Sequence, residues 1–180
     1  MTKRTELPPP GVRVHEGGVA AAPTARTSWA WVVATFFGIG RLKPGPGTWA
    51  SLAAAAIWYI GLDAAHLTDW AARLITLTAA LIVALIGISA GTIVERESGR
   101  TDPGFVVIDE VVGQWVTLAF APVDPGHALV GFVLFRFFDI VKPWPVREME
   151  RFPGGSGIML DDVAAGIYGL LVMLFLRIWW

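Results

Sequence analysis

The stretch "WAARLITLTAALIVALIGISAGTIV", residues 70–94, carries a single charge, Arg73, near its start. It exceeds the roughly 20 residues a helix needs to cross the hydrocarbon core of a bilayer. A segment so apolar has to satisfy its backbone N–H and C=O groups within itself, so a transmembrane helix is expected. The whole chain agrees: 54% of its residues are hydrophobic and 16% charged, against roughly 25% charged in an ordinary soluble domain. Residues 157–180 form a second candidate span, with Arg177 placed to snorkel and Trp179 and Trp180 suited to an interfacial belt. Asp161 and Asp162 lie in its first third, so it is not a simple lipid-facing helix. Segments 29–37, 48–62 and 127–140 are shorter, and fit short spans, re-entrant pieces or helices buried by their neighbours. With no repeat, heptad run or alternating strand pattern, the expected fold is all-α: a polytopic membrane helical bundle with short or re-entrant helices around an interfacial acidic site. The small residues at 53–56 and Gly87, Ala90 and Gly91 suit close helix packing.

Residues 1–27 are polar, contain Pro8-Pro9-Pro10 and Gly17-Gly18, and lack a signal-peptide core, so they read as a disordered cytoplasmic leader. Residues 28–180 read as one membrane-embedded domain. The absence of cysteine excludes disulfides, zinc-thiolate sites and thiol nucleophiles. A net charge of -1 without a basic run argues against a nucleic-acid partner.

The acids of the apolar region are clustered. Asp109 and Glu110 stand together in "FVVIDEVVGQW", where ionised side chains are expensive unless paired or bound to a cation. Asp102 precedes them. "FRFFDIVKPWPVR" sets Arg136 and Asp139 on one helical face and then delivers Lys142 around Pro143 and Pro145. "PGGSGIMLDD" runs from a glycine loop into a helix expected to carry Asp161 and Asp162 in about its first turn, where capping competes with a functional reading. For Asp109 and Glu110, mid-segment among valines, capping does not serve; a buried ion pair with Arg136 or Lys142 is the structural alternative. The acids outnumber what the nearby bases can pair, and a divalent cation would resolve the surplus. An all-oxygen, carboxylate-rich set suits Mg²⁺ or Mn²⁺. His15, His66 and His127 lie outside these motifs, so a general base would be a carboxylate.

"FGIGRLKPGPGTWASL", residues 37–52, combines glycines with Arg41, Lys43, Thr48 and Ser51 at the start of a helix. Backbone N–H groups, hydroxyls and two cations there would make a phosphate cradle. A plain connection capped by Thr48 is the bland reading. The stretch is neither a Walker A loop nor a dinucleotide fingerprint.

Four blocks, "FGIGRLKPGPGTWASL", "DPGFVVIDEVVGQW", "FRFFDIVKPWPVR" and "GGSGIMLDDVAAG", together resemble the phosphatidylglycerophosphatase A family over residues 37 to about 166. The family comprises Mg²⁺-dependent membrane phosphatases of bacterial phospholipid synthesis. The resemblance implies hydrolysis of the terminal phosphate monoester of phosphatidylglycerophosphate, a membrane phospholipid, in the bacterial inner membrane; the unsignalled leader and the bases within 95–100 and 142–151 set the expected site on the cytoplasmic side. It matches Asp102, Asp109 and Glu110 to the family's central acidic block, Asp139 and Lys142 to its third, and Asp161 and Asp162 to its last. On chemical grounds Asp109, Glu110, Asp161 and Asp162 are the expected Mg²⁺ ligands, while Arg41, Lys43, Thr48, Ser51, Arg136 and Lys142 would bind phosphate. Asp139 would activate water or attack phosphorus itself, with Asp109 and Glu110 also counted as catalytic. A transporter or cation channel, with acids spread along a pore axis, is the competing reading.

Overall fold

The computed structural model describes residues 26–149 and 151–176; most of the leader, and the anchors Arg177, Trp179 and Trp180, lie outside them. The described residues are helical, with no strand. In chain order they form α1 (Ser28–Ala34), a 3-10 turn (Ile39–Arg41), α2 (Pro46–Ala64), α3 (Asp69–Ser98), α4 (Ile108–Leu118), α5 (Pro125–Val141), α6 (Val146–Met149) and α7 (Gly155–Leu176).

Local sequence sets most of these boundaries. Proline at the start of α2 and of α5 supplies a φ suited to a helix, where its missing N–H is not needed. Asp124 caps α5 by accepting from the His127 backbone N–H at 2.9 Å. Gly99 ends α3 in the left-handed region, with φ 65. The two expected spans are α3 and α7, 30 and 22 residues long and apolar enough to cross a membrane. Segments 48–62 and 127–140 became α2 and α5. Segment 29–37 yields only the short α1 and a tight turn.

Short connections make successive long helices run in opposite directions, so one end of the bundle collects the N-termini of α2, α4 and α7 and the C-termini of α3 and α5. The short α4 sits in the middle, packed against α2, α3, α5 and α7. Its approach to α7 is backbone to backbone. A Cβ on Gly113 would stand 2.6 Å from the Asp162 carbonyl oxygen, and one on Gly166 would stand 2.5 Å from the Gly113 carbonyl oxygen. Gly87, Ala90 and Gly91 of α3 are likewise buried, and Gly91 meets Gly155 of α7.

The core is apolar, but the exterior is also far more apolar than that of a soluble domain. Leu81 and Leu85 on the outside of α3 are each 60% exposed, and Leu129, Phe137, Leu171 and Phe175 also face outward, while four aspartates are buried. Exposed apolar area on this scale marks a lipid-facing surface. The protein is a membrane helical bundle whose largely apolar interior holds a local cluster of buried acids.

Candidate active site

The buried acids come from three helices. Asp109 and Glu110 do not lie mid-segment in the fold: they stand in the first turn of α4, which opens after a connection of turns and bends. They are nevertheless not caps, since Asp109 is buried and the residue at the cap position is Val107. Asp161 and Asp162 differ from expectation in the other sense. Because α7 starts at Gly155, its first turn holds no acid, and both aspartates point inward from the second turn, 6% and 3% exposed. Capping therefore does not explain either of them.

One carboxylate oxygen each from Asp109, Glu110 and Asp162 lies within 4.8 Å of the others. Asp109 Oδ1, Glu110 Oε2, Asp162 Oδ2 and Asp161 Oδ1 are buried with no hydrogen-bond partner among the described residues. Orphaned buried acceptors carry a desolvation penalty of about 1–3 kcal/mol each, more when charged. Converging, unsatisfied, all-oxygen donors are what a hard divalent cation requires, so these residues fit one. In the protein alone, burial and then the charge of Glu110 push the Asp109 carboxyl well above the ordinary carboxylate range. Burial pushes Glu110 up to about 7, with the Asp109 hydrogen bond and Arg136 opposing the rise and Asp139 adding to it. A bound cation would reverse the pressure by favouring the charged forms.

Asp161 stands beside this trio and accepts from Lys142 Nζ at 2.7 Å. Lys142 reaches it from a left-handed position, φ 46, at the end of α5. Asp139, in the last turn of α5, is salt-bridged to Arg136. Asp102 also has a left-handed backbone and lines a cavity of about 390 Å³ with Glu95, Arg151 and Asp161. All six acids singled out in the sequence thus gather at one end of the bundle, with Arg136 and Lys142 among them.

The glycine-rich block is arranged differently from the expected cradle. Thr48 is exposed, and Ser51 is fully buried with its hydroxyl donating to the Gly47 carbonyl oxygen at 2.8 Å. Arg41 and Lys43 line a separate cavity with Arg26, Arg100 and Phe105. Contact with the acids is made by Gly47, where an added Cβ would stand 2.0 Å from Glu110 Oε1 and 3.1 Å from Arg136 Nη1. The start of α2 is thereby pressed against the acidic cluster, its partial positive charge toward the carboxylates.

Sequence reading passed over Gln114. It is fully buried on α4, one turn beyond Glu110, and neither amide atom has a partner among the described residues. The available signal was a polar side chain inside the apolar run at helical spacing from Glu110.

Residues 32–177 match the family model described as Phosphatidylglycerophosphatase A. The chain belongs to the phosphatidylglycerophosphatase A family. It is a phosphatase. A Haemophilus influenzae protein named Phosphatidylglycerophosphatase A is 37% identical over 150 residues, covering 82% of this chain and 88% of that protein. The Escherichia coli K12 protein of the same name is 35% identical over 155 residues, covering 83% and 84%. A Bacteroides thetaiotaomicron protein, provisionally named phosphatidylinositol-3-phosphatase, is 41% identical over 151 residues, covering 81% and 92%. No solved structure matches the chain. Three of the four blocks that carried the resemblance in the sequence supply the buried acids of the site, and all four lie within or overlap the matched region.

Proposed function

We propose that this phosphatase hydrolyses the terminal phosphate monoester of phosphatidylglycerophosphate, giving phosphatidylglycerol and phosphate, with Mg²⁺ held by Asp109, Glu110 and Asp162 and with Asp161 at its margin. The observation that carries the proposal is the set of converging, buried carboxylate oxygens without partners in a chain of this family. When bound, the cation would neutralise charge on the phosphate oxygens and on the leaving alkoxide. The protein's own contribution is positioning and charge. Transfer of a phosphoryl group spreads negative charge over three equatorial oxygens, and Arg136 and Lys142 are placed to balance part of it. Asp139, oriented by Arg136, takes a proton from the attacking water or attacks phosphorus itself. Lys142 holds the Asp161 carboxylate in place, and Gly47 lets α2 close over Glu110 without displacing it.

A lipid phosphate lies at headgroup level, so the site belongs at the membrane interface, on the cytoplasmic side of the bacterial inner membrane in a multi-pass chain. Phe37 and Trp144, 80% and 79% exposed, belong to this end of the bundle and suit the interfacial zone. The ion-translocation alternative called for acids along an axis; the buried acids gather at one end. The Bacteroides relative's name favours a second substrate of the same chemistry, a phosphoinositide monoester.

The test is phosphate release by the purified, detergent-solubilised protein from phosphatidylglycerophosphate, phosphatidylinositol 3-phosphate and phosphatidic acid, with Mg²⁺ or excess EDTA, alongside Asp109→Ala. Metal-dependent release from phosphatidylglycerophosphate, lost in the variant, is the expected result. A folded, Mg²⁺-loaded protein that releases phosphate only from the phosphoinositide would transfer the assignment to that substrate, and metal-independent release would refute the cation's role.

A further inference from the structure

We infer that the cavity lined by Arg26, Arg41, Lys43 and Arg100 is a second anion site, built for the phosphodiester of a lipid headgroup and distinct from the acidic centre that handles the monoester. The inference rests on the proposed substrate for its functional meaning, though not for the existence of the site. The cavity holds about 470 Å³, and no acidic residue lines it. Among the described residues Arg41, Lys43 and Arg100 form no salt bridge, so three cations converge there without a neutralising partner. The fourth is held in place: the Arg26 guanidinium carbon lies 4.4 Å from the centroid of the Trp31 ring, and Trp31 stacks on Phe105 with centroids 5.4 Å apart. Glu97, which accepts from the Thr27 backbone N–H and hydroxyl and from Trp31 Nε1 at 2.7 Å, lies within electrostatic reach of Arg26, so it balances part of that one charge and leaves Arg41, Lys43 and Arg100 to the cavity.

The site is built by close backbone approach. A Cβ on Gly40 would stand 2.0 Å from the Phe105 carbonyl oxygen, so only glycine lets the 40–43 turn lie against the 104–105 connection and bring Arg41 and Lys43 opposite Arg100. Pro46 lines the same cavity, and its neighbour Gly47 presses on Glu110. The basic cavity therefore ends one residue from the acidic centre. A substrate carrying a monoester and a diester on one glycerol presents two anions at short range, and this surface offers two sites of different chemistry at short range. Cations that make bidentate or charge-assisted hydrogen bonds favour a phosphate oxygen pair over solvent.

The experiment uses the full-length, detergent-solubilised protein and the variants Arg26→Gln, Arg100→Gln and their double. Both residues are exposed, so folding should not be disturbed. Calorimetric titration with dihexanoylphosphatidylglycerol, a diester with no monoester, reads the site without any turnover. Saturable binding in wild type, weakened about tenfold or more in the double variant, is expected. Equal binding in both, or none in wild type, overturns the inference even if the enzyme hydrolyses its substrate normally. Kinetics then identify the source of the diester. If it is the substrate's own, KM for phosphatidylglycerophosphate rises about tenfold in the double variant with kcat little changed, while kinetics on phosphatidic acid, which has no diester, stay at wild type. If it is a bystander lipid, added phosphatidylglycerol alters wild-type turnover of both substrates and the double variant no longer responds. A fall in kcat alone, equal for both substrates, would place the arginines with the reacting group and overturn the assignment.

Discussion

Gly47→Ala tests whether the position of the Glu110 carboxylate matters to the reaction. The new methyl would stand 2.0 Å from Glu110 Oε1, whereas ordinary contact begins at 3.4 Å. The carboxylate therefore has to withdraw by on the order of 1 Å, and displacements of that size at a reacting centre lower rates by about 100-fold. A 100-fold loss in kcat/KM corresponds to about 2.7 kcal/mol of transition-state stabilisation. The fold has no reason to fail. Gly47 is a helical residue outside the set of positive-φ glycines. Alanine is favoured over glycine in a helix by about 1 kcal/mol, and the clash is with the tip of a side chain. The assay is phosphate release from phosphatidylglycerophosphate micelles across a Mg²⁺ titration, with thermal unfolding in parallel. The expected outcome is a protein as stable as wild type, with kcat/KM about 100-fold lower and a higher Mg²⁺ half-saturation. Wild-type kinetics in a folded Gly47→Ala protein would refute the claim that Glu110 has to stay where α2 holds it.

Three further outcomes follow from the same physical picture. Asp109→Asn removes one charge from a crowded, buried set, so the metal-free protein should melt at or above the wild-type temperature while activity falls at least 100-fold, a pairing that calorimetry and phosphate release together would reveal. In wild type, Mg²⁺ at 100 times its Kd should add about 2.7 kcal/mol, a rise of several degrees in Tm that EDTA reverses and Asp109→Asn abolishes; an unchanged Tm in EDTA would mean the trio holds no cation. At the opposite end of the bundle, burial raises the Asp124 carboxyl only partly, and its hydrogen bonds to the His127 backbone and ring leave it below the ordinary value. A depressed folded-state value means that its contribution is present above the unfolded carboxylate pKa and is lost as pH falls through the folded one. Asp124→Ala should therefore weaken the protein by about 1 kcal/mol at neutral pH, less in acid, with kcat/KM intact.

The extent to which the sequence disclosed this molecule depends on the range of the interaction that decided each feature. The span that became α3 was legible because lipid imposes a one-dimensional rule: enough consecutive apolar residues, with the backbone satisfied internally. The acids were legible for the related reason that a charge among valines needs a compensating partner wherever it sits. Helix phase was not legible. The turns of the 99–107 connection placed Asp109 and Glu110 in a first turn, while Gly155, admitted into close contact with the Ile88 carbonyl, started α7 early enough to move Asp161 and Asp162 into the second. Those placements depend on contacts between helices far apart in the chain. The glycine-rich block shows the same limit: its composition allowed a phosphate cradle beside the acids as well as a plain connection, and tertiary packing turned Ser51 inward and set Arg41 and Lys43 on a cavity of their own.

Gln114 follows from that distinction and can be decided by one substitution. A fully buried amide with neither atom partnered among the described residues should be replaceable by leucine with a gain of about 1 kcal/mol if packing were its only role, because the orphaned polar atoms disappear at similar volume. Its position one turn beyond Glu110 on the central helix gives it another role, hydrogen bonding to what the acidic site binds. Gln114→Leu is therefore expected to raise Tm and to lower kcat/KM about tenfold or more, whereas Gln114→Glu, which keeps a hydrogen-bonding group, should lower Tm by adding a charge to a crowded set. A leucine variant with both higher stability and wild-type turnover would reduce Gln114 to an accident of packing. The opposite pattern, stability gained and activity lost, is the signature of a residue whose unsatisfied atoms await a ligand.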